Sequence, residues 1–310
     1  MTIKDLLFMW LDTYEKERVK LRTYNRYQSI IALHLIPELG DIRIEKLKRR
    51  VIQEILSKKK KEGNLLNGKS LSSASINLMF TVLSKAFEYA LDMEICDNNP
   101  CLRLKRIPND CKQVEAYTRD EQKKIETYIK DTDDRRLFGI LLGFYSGMRI
   151  GELIALEWSD VDFDKGIIKV NKTAYRDKSK TGVWEVFIDK PKTKSSERVI
   201  PLPSCILDLM KKYSLEAKSN YVVENKKGER MSIRSYQYIF EKLTEKVGAR
   251  KLNFHAIRHT FATRAIECGM DIKTLSEIMG HKNASITLNR YAHSMLDTKI
   301  AMMNKLQFIV

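Results

Sequence analysis

Between Asp97 and Val114 the chain loses all apolar periodicity, and this break divides 310 residues into two parts that must each bury a core of its own. The stretch holds Asn98, Asn99, Pro100 and Pro108, residues that favour turns and extended backbone over helix, with Arg103, Lys105 and Arg106 between them. It reads as a basic interdomain linker over 97–114, with one domain over 1–96 and a second over 115–310.

Residues 1–92 read as helices throughout. Leu6, Leu7, Trp10 and Tyr14 fall at helical spacing, and from Ser75 to Met93 the residues Ile76, Met79, Val82, Leu83, Phe87, Ala90 and Leu91 form one apolar face. Pro37 and Gly40 break the chain between helices, and Gly63, Asn64, Asn67 and Gly68 mark a loop. The run Lys58 to Lys61 just before that loop reads as a solvated helix face. Beyond the linker, Thr118 and Glu121 form a capping box at a helix start. A helical pattern follows from Ile140 to Glu157. Residues 167–171, 183–188 and 198–200 are β-rich and predict one small sheet, after which helices return from Ser204 onward. The expected fold is mainly α with a small β-sheet.

The formal net charge is +16, and residues 1–114 carry 21 basic against 14 acidic residues while the remainder carries 35 against 26. The excess is thus shared by both halves, as suits a polyanion gripped from two sides, where each neutralised phosphate releases counterions. No apolar run approaches the roughly 20 residues of a membrane span, and the N-terminus is amphipathic, unlike a secretory signal. A soluble, cytoplasmic protein is expected, with no membrane partner. Five cysteines, Cys96, Cys101, Cys111, Cys205 and Cys268, are odd in number and irregularly spaced, which predicts free thiols. The first three lack the close pair of a structural zinc site.

Four short stretches, far apart in sequence, hold the polar residues that matter. In Ser146-Gly147-Met148-Arg149-Ile150-Gly151-Glu152-Leu153, Arg149 either binds an anion or simply pairs with Glu152 at i+3. In the stretch from Lys190 to Leu202, between strand-like segments, Lys192 or Lys194 would sit at a hairpin turn; a solvated turn lysine is the plainer alternative. His255 and Arg258 at i,i+3 share a helix face, while His259 at i+4 from His255 lacks the glutamate that would make the pair a zinc motif. Gly280 ends a helix that Asp271 begins, so His281 stands on a helix-terminal turn, and Tyr291 follows ten residues later. Alone, that tyrosine would pass for a core residue.

Taken together, the two arginines, the lysine, the histidines and the tyrosine suit attack on a phosphodiester without a metal. Arginines bind non-bridging oxygens with a planar fork, and fixed donors can lower the barrier by several kcal/mol. A phenol with a reference pKa of about 10 needs help in losing its proton. A histidine suits that task, and a lysine can protonate the departing 5′ oxygen.

This order of residues resembles the tyrosine recombinase (phage integrase) family, whose catalytic signature runs Arg, Lys, His-x-x-Arg, His, Tyr. The matching positions are Arg149 in SGMRIGEL, Lys192 in PKTKSSERVIPL, His255 and Arg258 in HAIRHT, His281 in MGH and Tyr291 in NRYAH. Residues 1–93 are similar to the family's helical core-binding (SAM-like) domain and roughly 115–310 to its mixed α/β catalytic domain. The resemblance implies a site-specific recombinase that cuts and rejoins DNA through a 3′-phosphotyrosine, for integration or excision of a phage or mobile element. Arg149 and Arg258 would clamp the scissile phosphate and Lys192 would act as general acid, with Lys194 its competitor. His255 and His281 would bond the phosphate, His255 taking the proton of Tyr291. Glu152 would support Arg149, and His259 would be structural. Neither cofactor nor metal is implied. The implied partners are double-stranded recombination sites and a homotetramer on DNA, with room for an accessory DNA-bending or directionality protein. The apolar segment Ser294 to Val310 would pack on a neighbouring protomer, with packing on its own domain as the plainer alternative. The core-binding pattern begins within the first few residues, so the small N-terminal arm-binding domain that many integrases of mobile elements carry does not fit here: either the protein works on simple core sites or the chain begins late. Two other readings compete: a DNA-binding regulator without catalysis, and a type IB topoisomerase.

Overall fold

The computed structural model describes residues 1–63, 68–108, 115–179, 181–189, 197–281 and 283–291, with backbone alone at 286 and 289–291. The chain divides into two compact units, Met1–Lys112 with Asp177–Val183, and Gln113–Arg176 with Trp184–Val310.

In the first unit, α1 (Ile3–Met9) starts at a capping box between Thr2 and Asp5 and runs on as a π-helical segment, Trp10–Glu15. Next come α2 (Leu21–Ile30), a second π-helical segment (Ile31–Leu35) and the short α3 (Ile36–Leu39), in whose first turn Pro37 needs no N–H partner. The unit is completed by α4 (Arg49–Glu62) and α5 (Ser73–Asp92). Leu6, Leu7 and Trp10 are buried against Met79, Val82, Leu83 and Phe87 of α5, on the face its spacing predicts. Within the lysine run, Lys59 departs from the expected solvated face: it is buried and its ammonium meets Glu38 at 2.8 Å. The segment expected to be a linker is, over 97–108, laid along α5. Asn77 both donates to the Ile107 carbonyl (2.8 Å) and accepts from its N–H (2.9 Å), and Asn99 and Cys101 are buried.

The second unit begins with α6 (Arg119–Lys130), capped by Thr118 and Glu121 as their spacing predicts. Then come α7 (Phe138–Ser146), which is almost wholly buried, and α8 (Ile150–Ala155). The helical pattern from Ile140 to Glu157 is therefore two helices, broken at Gly147, which adopts φ 61°. Among the described residues there are two sheets and not one. A three-stranded antiparallel sheet has the order β1 (Val161–Asp162), β2 (Ile167–Val170), β5 (Arg198–Pro201), and a separate pair joins β3 (Thr173–Lys178) to β4 (Trp184–Asp189). The strands on either side of Lys192 thus pair elsewhere, β4 with β3 and β5 with β2, and do not form the expected hairpin with each other.

Helices α9 (Ser204–Leu215), α10 (Ile233–Lys246), α11 (His255–Glu267), α12 (Ile272–Met279) and α13 (Ala284–Tyr291) complete the unit. Its core gathers Ile140, Leu142 and Phe144 of α7 with Ile154, Ile168, Tyr236, Phe240 and Ile257. Helix α7 packs on α11, and Gly143 lets them approach: a Cβ there would lie 3.0 Å from Ile257 Cγ2. No helix among the described residues is long and apolar enough to cross a membrane.

Candidate active site

The last turn of α12 organises the site. A helix C-terminus leaves carbonyls without intrahelical partners and concentrates partial negative charge, which favours cations. Here three consecutive carbonyls each accept from an arginine of a different segment. Arg198 Nε donates to the Ile278 oxygen at 2.5 Å, Arg258 Nη2 to that of Met279 at 2.5 Å, and Arg149 Nη2 to that of Gly280 at 3.3 Å. Gly280 closes the helix at φ 63°, and the His281 N–H turns back to the Ser276 oxygen at 3.0 Å, so His281 stands directly beside the collar of arginines.

Each arginine is placed by local structure. Arg149 is the N-cap of α8: after Gly147 ends α7 in the left-handed region, the chain extends through Met148 and restarts. A Cβ at Gly147 would run into the Phe261 ring, and one at Gly151 into the Ala174 carbonyl and the Thr173 hydroxyl, so both glycines are required by close approach. Arg258 lies in the first turn of α11, 2% exposed, and its Nη1 also donates to the Gly147 oxygen at 2.7 Å. His255 opens the same helix, its N–H bonded to Asn253 Oδ1 at 2.9 Å, and is exposed. Its ring lies edge-on to buried His259, centroids 4.5 Å apart. Met148, Ile150, Gln237, Asn253, Phe254, His255 and Arg258 line a cavity of about 210 Å³. The His281 ring is held by a 2.7 Å contact between Nδ1 and the buried Thr287 hydroxyl of α13, and Tyr291 ends that helix one turn beyond Thr287. The structure thus brings together Arg149, His255, Arg258 and His281. Lys192, Lys194, Cys111 and the segment Ser294 to Val310 lie outside the described residues, and for Tyr291 the backbone alone is described.

Sequence reasoning missed Arg198 and Thr287. Thr287 follows His281 by six residues and carries no motif signal, and Arg198, at the start of β5, shows in sequence only a polar residue before an apolar run. Both matter through residues distant or out of register in sequence. Glu152 is the shared counter-charge. Its Oε1 accepts from Arg149 Nη1 (2.8 Å) and Arg198 Nη1 (3.1 Å), and its Oε2 from the Arg149 backbone N–H (2.9 Å) and Arg198 Nη2 (2.7 Å). Two guanidinium groups pair with this one carboxylate and a third, that of Arg258, bonds the same helix end, which leaves an excess of positive charge that suits a phosphate. Among the described residues, no group of three His, Cys, Asp or Glu side chains is placed to hold a metal.

Burial alone would push the Glu152 carboxyl up, but hydrogen bonds and charge from Arg198, then Arg149, outweigh it and hold the group at about 2. Because this lies below its ordinary 4.5, its contribution to stability is complete above that pH and drains away as pH falls toward 2. Glu152→Gln should therefore be less stable than the parent near pH 5, with the gap closing by about 3 kcal/mol toward pH 2 in urea titrations. A gap that stays constant with pH would show that the carboxylate is not held in this way.

The phage integrase family profile matches residues 115–297, and that of the phage integrase N-terminal SAM-like domain matches residues 2–60. A tyrosine recombinase XerC-like protein of Caldanaerobacter subterraneus subsp. tengcongensis is 30% identical over 94% of this chain and 79% of its own length. The ICEBs1 integrase of Bacillus subtilis is 28% identical over 91% of this chain and 77% of its own. Among solved structures, a Tn1549 transposon integrase fragment in complex with transposon right end DNA superposes with a TM-score of 0.82 at 26% identity, covering 99% of each chain. With both of its parts matched in order and nearly full coverage, this chain belongs to the phage integrase family of tyrosine recombinases, enzymes that break and rejoin DNA.

Proposed function

We propose that this chain recombines duplex DNA at specific sites for a mobile element, through a 3′-phosphotyrosine on Tyr291. The observation that carries this reading is the meeting of Arg149, Arg258 and His281 on one helix end, with His255 and Arg258 lining the same small cavity. Arg149 and Arg258 hold the non-bridging oxygens of the scissile phosphate and balance the charge that grows on them. The Tyr291 phenol gives its proton to His255, and its oxygen bonds to phosphorus as the bond to the 5′ oxygen breaks. Lys192 gives the leaving oxygen its proton, so a free 5′-hydroxyl results; a 5′-hydroxyl of the partner strand reverses the same steps to rejoin. The phosphoester energy is kept in the tyrosine bond, so no nucleotide is consumed, and arginines supply the positive charge.

Exchange of both strands of two duplexes takes four cleavages, and each chain brings one Tyr291, so four copies assemble on paired sites. The mobile-element role is supported by relatives named as transposon and ICEBs1 integrases. The test is incubation in EDTA with supercoiled plasmid carrying the DNA that flanks the chain's own gene. Relaxed plasmid, a covalent protein–DNA band on a denaturing gel and four chains per paired-site complex are expected. Tight binding without any adduct would instead identify a non-catalytic DNA-binding protein.

A further inference from the structure

We infer that Arg198 is a positioning residue for catalysis, holding Arg149 and the His281 turn in the geometry that phosphate binding requires; this rests on the recombinase reading above. Arg198 is a poor candidate for an ordinary surface residue of β5. Its side chain is 5% exposed, in a strand whose neighbours Val199 and Pro201 are exposed. All three of its nitrogens are engaged with the site: Nε with the Ile278 carbonyl at 2.5 Å, and Nη1 and Nη2 with the two oxygens of Glu152 at 3.1 and 2.7 Å. Its Cδ also packs under the turn, since a Cβ at Gly280 would lie 3.0 Å away.

Two consequences follow for the reacting groups. Glu152 Oε1 is shared between Arg149 and Arg198. With Arg198 gone, the full charge of Glu152 falls on Arg149 and draws that guanidinium away from Gly280 and from a phosphate, into a simple pair one helical turn long. The bond to Ile278 also ties the start of β5 to the helix end that carries His281, so the strand that follows the Lys192 segment is fixed against the phosphate-binding turn. A Lys at this position keeps the charge but has no planar fork to meet both carboxylate oxygens and a carbonyl at once.

The test compares wild type, Arg198→Gln and Arg198→Lys on two nicked duplexes of the same site, one with an ordinary scissile phosphate and one with a methylphosphonate there. The methyl group removes the anionic oxygen that the arginines balance, so a defect in charge stabilisation shrinks on it, whereas a general loss of folded protein lowers both substrates alike. On the phosphodiester, adduct formation should slow by about 100-fold in Arg198→Gln and about 10-fold in Arg198→Lys, the scale of a small misplacement of catalytic groups. On the methylphosphonate both should come within a few-fold of wild type, and duplex affinity should not change. Equal losses on the two substrates, wild-type rates on the phosphodiester, or failure of Arg198→Lys to fold would each overturn the positioning role. Absence of an adduct from the wild-type protein on a duplex it binds tightly would instead overturn the recombinase reading itself.

Discussion

Tyr291→Phe should abolish the covalent protein–DNA adduct while leaving duplex binding unchanged. The substitution removes one oxygen and keeps the ring, so the position at the end of α13 is disturbed as little as chemistry allows. That helix is tied to the turn that carries His281 by the contact between Thr287 and the His281 ring, which sets where its last residue begins. Without a phenol there is no atom to bond phosphorus. The expected loss of adduct is at least about 10⁴-fold, the scale seen when a covalent nucleophile is deleted. Affinity for the duplex rests instead on the net charge of +16 and on the arginines, none of which the change touches. Mobility shifts on intact duplex, run beside denaturing gels on a nicked one, separate the two quantities. Adduct formed by the Phe variant at an ordinary rate would mean that another side chain attacks, and the role given to Tyr291 would fall.

Much of this is legible in the sequence, and the rest is hidden for identifiable reasons. Features set by neighbours in sequence are plain: the Thr118 cap, the apolar face of α5, and the helix from Asp271 to Gly280 with His281 on its closing turn. The break between α7 and α8 was not, because Ser146 to Glu152 continues an apolar helical rhythm. Only the left-handed Gly147, wedged against Phe261, ends the helix there. Arg149 does pair with Glu152 at i+3, but as an N-cap whose side chain and backbone N–H both meet that carboxylate, and not from the middle of a helix. Strand pairing is hidden from the sequence for a related reason. Local β content marks strands but says nothing of partners, and β5 leaves its neighbour β4 to pair with β2.

Arg198 shows the same limit at the site. In SSERVIPL it looks like a polar residue at the edge of a strand, and its burial follows from a carboxylate 46 positions earlier and a carbonyl 80 positions later. Segment 97–108 is the converse case. Its lack of periodicity is real, yet paired hydrogen bonds from Asn77 fix it to α5, so an aperiodic stretch need not be a loose one.

Arg258 is expected to separate scaffold from chemistry when it is replaced in two ways. Its guanidinium is buried and bridges the Gly147 carbonyl that closes α7 to the Met279 carbonyl in the last turn of α12. Arg258→Ala removes both bonds, leaves two buried acceptors unpaired and opens a cavity beside Met148. A destabilisation of about 3–5 kcal/mol should result, along with an adduct rate more than about 10³-fold down. Such a variant cannot by itself distinguish a broken site from a broken fold. Arg258→Lys can. A lysine keeps the positive charge and fills most of the space, so the melting temperature should stay within a few degrees of wild type. Its ammonium has no planar fork, and it cannot span two carbonyls and still meet a phosphate in the cavity that this position lines together with His255. Cleavage should therefore fall by about 10²- to 10³-fold in a protein that is folded and binds the duplex normally. Wild-type cleavage by Arg258→Lys would make this residue a strut between two helix ends, and the phosphate would then depend on Arg149 alone.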